Sequence, residues 1–309
     1  MKQTTTIYKL LFLPVALLLA GCTDYEADTV DTPEILFRTG VTQVTEGTRA
    51  ITYDSVEELE AQGSFTCAVY DAGTPMPFIS PTRVDWTGSG NLWEFSDGKH
   101  KWPKQGSLDF FAFFPADMPF THSLGTPSTT TVSYSPTPTL TCKNLPVELS
   151  PSDNTKEFVY AIAKGLSQDG NGETGVHLQF KHVFARLKFN LSAANGTNVT
   201  INSIKIPGIC RNGICTLGDT PSWSEDLDNS GNLVITGTSG TATYLVIPHN
   251  YGPTTITFNA TWHGWTELTK DVSVSVNLNW ELGKSYNYEI KALQDYVLKV
   301  DVTKYTEQW

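Results

Sequence analysis

Basic residues are scarce in this sequence. Lysine and arginine together number 21 against 32 aspartates and glutamates in 309 residues, which gives a formal net charge of −11. Affinity for nucleic acid comes mostly from basic side chains that neutralise phosphates, so we expect no nucleic-acid partner. The same shortage leaves no basic patch for an anionic lipid surface.

The sequence also lacks an apolar run long enough for a membrane-spanning helix, which needs about 20 residues. The apolar run at residues 10–20 is too short; it follows two lysines and ends in Leu19-Ala20-Gly21-Cys22. Such a pattern predicts a signal peptide over residues 1–21. The cysteine directly after Leu-Ala-Gly matches the lipobox of bacterial lipoproteins. In that interpretation, Cys22 is acylated and becomes the first residue of the mature chain. The alternative is an ordinary secretory signal with an incidental cysteine.

Sequence motifs of catalysis are missing too. The chain has no Gly-x-Ser-x-Gly, no His-Glu-x-x-His, no phosphate-binding Walker loop and no EF-hand pattern. Its six histidines are scattered. His177 and His182 are close, but odd spacing on a strand places them on opposite faces, and we expect His182 to be buried and hydrogen-bonded. We therefore predict no enzyme activity, no metal site and no cofactor.

Strong helix formers are sparse, whereas threonine, glycine, proline and aromatic residues are plentiful, which is typical of an all-β protein. Apolar and polar residues alternate, as in strands, at residues 256–262, 272–278 and 286–290. In the longest β pattern, residues 176–191, the apolar positions change parity between Phe180 and Val183, which requires a bulge or a break. Many short strands at regular spacing predict packed antiparallel sheets.

The best candidate for a domain boundary is Ser167–Gly175, nine residues of turn formers without an apolar side chain. We therefore predict an N-terminal domain at residues 50–172 and a C-terminal domain at residues 173–309. Near the start of the first domain, Ser55-Val56-Glu57-Glu58 has the spacing of a capping box and predicts a short helical turn.

Two further strand candidates lie near the two ends of the chain. Residues 35–44 place Ile35, Phe37 and Val41 on one face. Residues 297–303 place Leu298, Val300 and Val302 on one face. A terminal strand of this kind either completes its own sheet or pairs with the exposed edge of a neighbouring molecule.

The sharpest local pattern among the cysteines is Cys210-Arg211-Asn212-Gly213-Ile214-Cys215. Asn-Gly favours a two-residue hairpin turn, which would bring Cys210 and Cys215 opposite each other at a separation that a disulfide bridges. Free thiols are the alternative, and a zinc site is less favoured because no second pair of ligands has suitable spacing. The pairing of Cys67 and Cys142 stays open.

Several segments resemble, in chain order, those of a known family. They are the lipobox at Cys22, Thr48-Arg49-Ala50, the Trp-Pro … Phe-Phe-Pro segment of residues 101–115, Phe158-Val159-Tyr160-Ala161 and the Val-x-Leu-x-Phe-x-His segment that begins at Val176. Together they resemble the fimbrillin-like family, the type V pilins of Bacteroidetes-type bacteria.

The resemblance implies two transthyretin-like antiparallel β-sandwich domains and assembly by strand exchange. A protease, often arginine-specific in that family, would cut Arg49–Ala50 and remove residues 22–49. The leader strand, roughly residues 35–46, would then leave a groove in the first domain. A donor strand from another subunit, equivalent to residues 296–305 with its apolar Leu298, Val300 and Val302, would fill that groove.

The implied function is that of a structural or adhesive subunit of a cell-surface fimbria. The precursor would be anchored in the outer membrane by the lipid on Cys22 and would then become part of the fimbrium. Its partners would be other fimbrial subunits and a glycan or protein on a host or bacterial surface.

Three alternatives stay open at this point. Arg38 is a second possible cleavage site. If residues 297–303 complete their own sheet, a tip or accessory subunit is favoured, and an anchor subunit keeps its leader and lipid. The chain is otherwise a surface glycan-binding lipoprotein, for which Trp262-His263-Gly264-Trp265 is the best platform; the simpler expectation is that Trp262 is core and Trp265 covers an edge.

Overall fold

β-Strands are the main secondary structure of the described chain, beside two short helices. The computed structural model describes residues 32–41, 55–117, 120–122, 128–134, 137–145, 148–149, 157–193, 198–236, 242–293 and 296–305. Within these ranges, no helix is long and apolar enough to cross a membrane.

The elements follow one another in three groups. The first group is β1 Phe37–Val41, α1 Val56–Gln62, β2 Ser64–Asp71, β3 Pro77–Trp86, β4 Trp93–Phe95 and β5 Leu108–Phe114. The second is β6 Phe120–His122, β7 Ser128–Ser133, β8 Thr139–Lys143, β9 Glu148–Leu149, β10 Val159–Leu166, α2 Gln168–Asn171 and β11 Val176–His182. The third is β12 Ala185–Ala193, β13 Val199–Thr216, β14 Ser222–Thr236, β15 Ala242–Val246, β16 Asn250–Trp262, β17 Leu268–Asn279, β18 Ser285–Ala292 and β19 Leu298–Tyr305.

Seven strands form a closed barrel in the order β1-β11-β10-β5-β2-β3-β4. Its core is rich in aromatic side chains, among them Phe37, Phe65, Trp93, Phe110 and Phe114. The family resemblance implied an antiparallel β-sandwich here. The structure differs because β1 pairs in parallel with β11 and in antiparallel with β4, and so joins two strands that would otherwise be edges.

The strands outside the barrel form two sheets that share a second core, and β6 to β9, from the middle of the chain, belong to the larger one. One sheet has the order β15-β12-β18-β19, and the other has the order β17-β16-β13-β8-β7-β6, with β14 beside β13 and β9 beside β14. The alternation predicted in β16 is confirmed, since Ile256, Phe258, Ala260 and Trp262 are all buried in this core. Sheet-on-sheet packing over alternating inward side chains is the geometry of a β-sandwich.

The predicted change of parity after Phe180 is confirmed. β11 ends at His182 and β12 begins at Ala185, with two residues between them. β11 belongs to the barrel and β12 to the four-stranded sheet, so the chain passes from one to the other at this break.

The barrel sheet therefore continues to His182, ten residues beyond the predicted boundary at residue 172. A third cluster, which includes Phe111 and Phe113 of β5, Tyr160 of β10 and Leu140 of β8, packs the outer face of the barrel against the eight-stranded sheet. Residues 32–309 form one compact unit. The division into two domains stays a prediction.

Two local predictions are confirmed. Ser55 caps α1, since its hydroxyl accepts a hydrogen bond from the Glu58 amide at 3.2 Å. His182 is buried, and its Nδ1 lies 2.6 Å from Oε1 of Glu157.

The predicted hairpin between Cys210 and Cys215 does not form. Both cysteines are free thiols in the single strand β13, where five residues span about 16 Å. The strand continues through this segment, with a shift of register between Cys210 and Asn212, because Gly213 pairs with Cys142 of β8 on one side and with Glu225 of β14 on the other. A side chain at Gly213 would lie 3.1 Å from the Trp223 ring, so this glycine provides close packing rather than a turn.

Candidate functional site

The candidate site is the space that β1 occupies between β11 and β4, which we call the β1 groove. The alternation predicted for this segment is confirmed: Ile35, Phe37 and Val41 are buried, and so is Thr39. The ring of Phe37 lies 5.1 Å from that of Phe95 and 5.7 Å from that of Phe65, in edge-on contacts. β1 therefore supplies one inward row of the barrel core.

On one side, the backbone of β1 forms a parallel ladder with β11. Five residue pairs join the two strands, from Phe37 with Val176 to Val41 with Phe180. The ladder begins with a hydrogen bond of 2.7 Å from the Val176 amide to the Leu36 carbonyl.

On the other side, β4 and one asparagine side chain hold β1. Phe37 pairs with Trp93 of β4. Beyond that pair, Oδ1 of Asn91 accepts hydrogen bonds from the amide and the hydroxyl of Thr39, each at 2.8 Å. Nδ2 of Asn91 donates to the Thr39 carbonyl. The side chain therefore binds both main-chain polar groups of one residue of β1.

The chain just before β1 is also fixed. The Ile35 amide donates to the His100 carbonyl at 2.8 Å, and the Trp102 amide donates to the Pro33 carbonyl at 3.0 Å. Lys99 and Glu34 form an ion pair of 2.6 Å at the surface. Because such exposed pairs contribute little, the two main-chain bonds are the stronger restraint.

Arg38, the second predicted cleavage site, lies within the paired strand. Its Nε donates to the Thr174 carbonyl at 2.8 Å, and Nη1 donates to the Asn91 carbonyl at 3.4 Å. A protease that needs an extended, accessible segment would have to unfold β1 to cut here. Cys22, Arg49 and Ala50 lie outside the described residues, so lipidation and cleavage there stay predictions.

The predicted donor segment does not project from the molecule; it forms the edge strand β19. It pairs with β18 in antiparallel register from Ala292–Leu298 to Ser285–Tyr305. Leu298 is buried, Val300 packs against the second core, and Val302 is 39% exposed. Among the described residues, β19 pairs with β18 on one side, and the other edge of β19 is unpaired.

An ion-paired carboxylate lies on the outward face of β19. Asp301 contacts Nζ of Lys291 at 2.8 Å and Nζ of Lys299 at 3.0 Å. Hydrogen bonds from these two lysines lower the pKa of Asp301. The groups are exposed, so they add little to the attachment of β19 to its own sheet.

The tryptophan platform divides into a core residue and an exposed residue. Trp262 is buried, as predicted, and its ring lies 5.5 Å from that of Tyr296. Trp265 does not cover an edge: it is fully exposed in the β16–β17 connection. Among the described residues, no group of three or more His, Cys, Asp or Glu side chains is arranged to hold a metal ion.

Sequence reasoning found β1 and β19 but missed Asn91. The segment Gly88-Ser89-Gly90-Asn91 has the composition of a turn, and nothing in it indicates a contact with Thr39, 52 residues earlier. The model of the fimbrillin-like family matches residues 48–309.

This chain belongs to the fimbrillin-like family. Solved structures share the fold at low sequence identity. A fimbrial protein from Bacteroides vulgatus is 14% identical, with a TM-score of 0.57 over 88% of this chain and 99% of that chain. A proposed cell adhesion protein from Bacteroides uniformis is 12% identical, with a TM-score of 0.57 over 89% and 98%. No curated protein matches the chain by sequence.

Membership of the fimbrillin-like family indicates the kind of protein in which the β1 groove occurs. A family of fimbrial subunits comprises structural and adhesion proteins of the cell surface rather than enzymes. The family match begins at residue 48, which leaves β1 outside the matched range.

Proposed function

We propose that this protein is a fimbrial subunit, exported as a lipoprotein precursor and assembled when proteolysis after Arg49 frees β1 and a strand of another subunit takes its place. The observation that supports this best is that β1 closes the barrel. Without β1, strands β11 and β4 become edges with unpaired N–H and C=O groups, and an aromatic core is uncovered. An incoming strand with alternating apolar residues repairs both defects.

The order of the chain makes a single cut sufficient. Arg49 is the one basic residue between Val41 and Ser55. A cut after it leaves β1 attached to the barrel by non-covalent contacts alone. Since Cys22 also precedes the cut, replacement of β1 would release the subunit from its lipid anchor in the same step.

The proposed donor is β19, which must then leave its own sheet. Its apolar row of Leu298, Val300 and Val302 has the two-residue spacing of the row that β1 inserts. Ten extended residues, 296–305, reach about 33 Å, which exceeds the length of β1. β19 is held by one ladder at an open edge, a position from which a strand separates without disrupting the order of the remaining strands.

The experiment uses the full-length lipidated chain, purified from membranes in detergent and treated with an arginine-specific protease. We expect cleavage after Arg49 and a ladder of high-mass species that resists mild heating. An Arg49→Gln variant should stay monomeric, whereas Arg38→Gln should still assemble. Complete cleavage that leaves a stable monomer would refute a polymerising subunit.

A cross-link tests the donor separately. Lys291 and Lys299 pair across β18 and β19 and are both exposed. A Lys291→Cys, Lys299→Cys disulfide should prevent assembly until reductant is added. A matched disulfide at Thr261 and Thr269, which pair across β16 and β17, should not. Assembly of the oxidised Lys291→Cys, Lys299→Cys variant would show that β19 is not the donor.

One observation favours a tip or accessory subunit instead. β19 pairs with β18 over eight residues and so completes its own sheet. A subunit of that kind accepts a strand but donates none. It would bind a donor peptide after cleavage and would form no ladder, with or without the cysteine pair.

One observation also favours glycan binding, either alone or at a fimbrial tip. An exposed aromatic ring stacks on sugar rings, and Trp265 is fully exposed. A Trp265→Ala variant should then lose binding on a glycan array, whereas a Trp223→Phe variant, changed at a packed indole, should retain it. Equal binding by the wild type and Trp265→Ala would remove this candidate.

A further inference from the structure

The register of β1 against β4 reveals a gap in the strand ladder. Phe37 pairs with Trp93 in antiparallel orientation. In this antiparallel register, a step of two residues forward along β1, to Thr39, corresponds to a step of two residues back from Trp93. Residue 91 therefore lies opposite Thr39. β4 begins at Trp93, so a strand backbone no longer faces Thr39 there. The side chain of Asn91 fills the gap instead.

A primary amide imitates a peptide group, because it presents one carbonyl oxygen and N–H donors in one plane. Asn91 uses both: its oxygen accepts from the Thr39 amide at 2.8 Å, and its nitrogen donates to the Thr39 carbonyl. The orientation of the amide is set by Trp93, whose buried indole N–H donates to the same oxygen at 3.0 Å. With its oxygen towards the Trp93 indole and the Thr39 amide, and its nitrogen towards the Thr39 carbonyl, the Asn91 side chain is hydrogen-bonded to all three groups.

We propose that Asn91 sets the register of any strand that occupies the β1 groove, by binding the main chain of one inward-facing residue. For β1 this follows from the contacts above; for an incoming donor it rests on the proposed function. Every residue has a main-chain carbonyl, and every residue except proline has a main-chain N–H. Asn91 therefore holds a strand from another subunit as it holds β1. These two main-chain bonds do not depend on the side chain, although the Thr39 hydroxyl adds a third bond to Asn91. The spacing of the inward apolar row then decides which residue of the strand lies opposite Asn91.

This position assigns a register to β19. If the donor enters in the direction of β1 with Val300 opposite Asn91, Leu298 takes the place of Phe37 and Val302 takes that of Val41. Thr39 and valine have nearly the same shape, so the change removes one hydroxyl contact to Asn91. β1 also has a hydrogen bond from the Arg38 guanidinium to the Asn91 carbonyl. In the donor, Lys299 takes the place of Arg38 and has no guanidinium. While it is covalently attached, β1 therefore outcompetes the donor, and exchange needs the cut that lets the leader diffuse away.

The first test does not depend on assembly. In the intact full-length chain, hydrogen exchange resolved to single amides should show Thr39 exchanging at least about tenfold faster in Asn91→Ala than in the wild type. The Arg38 and Gly40 amides, which point towards β11, should keep their protection. Asn202→Ala, which removes an exposed asparagine bonded to Asn259 and Thr261, is the control and should change neither. Unchanged exchange at Thr39 would overturn the proposal.

The second test uses the chain cut after Arg49, whose leader fragment is removed in denaturant and whose refolding in native buffer is checked by tryptophan fluorescence before any peptide is added. Labelled peptides of residues 33–44 and 296–305 are each titrated against it, and binding is followed by fluorescence anisotropy. Asn91→Ala should weaken both peptides, by about 30-fold for two hydrogen bonds of ordinary strength. Asn91→Asp retains the acceptor for Trp93 and for the strand amide but sets a carboxylate oxygen against the strand carbonyl, so its loss should be at least as large.

N-methylation locates the contact on the donor. A methyl on the Val300 amide should weaken binding to the wild type and have little effect on Asn91→Ala. A methyl on the Val302 amide, beyond the reach of Asn91, is the matched control. If both peptides bind and neither depends on Asn91, the register assignment fails and the fimbrial proposal stands. If the 33–44 peptide depends on Asn91 and the 296–305 peptide binds nowhere, the assignment of β19 as donor fails and the role of Asn91 for β1 stands.

Discussion

At the scale of single residues, Phe37 is the largest side chain that β1 inserts into the barrel. Its side chain is fully buried and contacts the rings of Phe65, Phe95 and Phe110 at centroid distances of 5.1 to 6.0 Å. Edge-on aromatic pairs contribute beyond the area that they bury. No residue of β19 offers a ring that matches it in the register proposed above.

Removal of that ring gives the first prediction. Phe37→Ala should lower the free energy of unfolding of the intact chain by about 3–5 kcal/mol, because it leaves a cavity in an aromatic core. Urea unfolding followed by tryptophan fluorescence measures the change. Phe78→Ala, at a phenylalanine that is 39% exposed on β3, should cost far less. Equal effects of the two substitutions would show that β1 is not an integral part of the barrel.

Residue-scale prediction from sequence succeeded where the signal was periodic. Burial of Ile35, Phe37 and Val41 followed from their spacing. Asn91 escaped because its role depends on where β4 begins and on the distance to Thr39 in space. Neither property is written in the Gly-Ser-Gly-Asn segment itself.

At the scale of elements, β19 is the strand to which the proposed function gives two positions, the edge of its own sheet and the β1 groove of another subunit. In this structure, Val300 pairs with Ile290 and packs against the second core, so β19 contributes to the sheet that it edges. The same alternation suits the β1 groove. An edge strand with a matching apolar row is therefore compatible with both positions.

A charge on the inward face of β19 should separate the two roles. Val300→Asp should loosen β19 at a cost of about 1–3 kcal/mol, because a carboxylate enters a half-buried site without a partner. The rest of the fold should persist, and assembly after cleavage should be lost. Hydrogen exchange in β19 and β16, with native gels, measures both effects. Thr303→Asp, on the outward face, should retain assembly; global unfolding of Val300→Asp would mean that β19 is indispensable to its own domain.

The break between β11 and β12 was predictable from the sequence, whereas the continuation of β13 through Asn212-Gly213 without a turn was not. At residues 176–191, the parity of apolar positions itself changes, and a strand cannot bury both parities in one core. At Asn212-Gly213, the local turn preference competes with two ladders, to β8 and β14, and with the Trp223 ring above the glycine. Those partners are remote in sequence, so tertiary contacts override a local signal.

At the scale of the whole molecule, buried hydroxyls and thiols make the fold sensitive to alkali. Burial raises the pKa of Tyr160, Tyr251 and Tyr288, and it raises that of Cys215 to about 12. In the unfolded chain these groups ionise near 10 for tyrosine and about 8.5 for cysteine. The folded chain therefore keeps protons that the unfolded chain releases.

The third prediction follows from this difference. Stability should be complete below about pH 8.5 and should fall as the pH rises towards 12, since proton release then favours the unfolded state. Urea midpoints between pH 7 and 11.5 measure the decline. Tyr160→Phe, which removes one buried hydroxyl bonded to the Gly218 carbonyl, should flatten it, whereas Tyr296→Phe at an exposed ring should not. A constant midpoint across this range would contradict the prediction.

The passage of one chain segment from β11 into β12 has a mechanical consequence. β1 is hydrogen-bonded in parallel to β11, and β12 is hydrogen-bonded in parallel to β18, the strand that precedes β19 in the chain. Tension applied between the groove and β19 would run along these strands and load each ladder in shear. In that geometry, many bonds resist rupture together instead of opening one by one, so a filament built through these strands would withstand pulling by flow or by an attached surface.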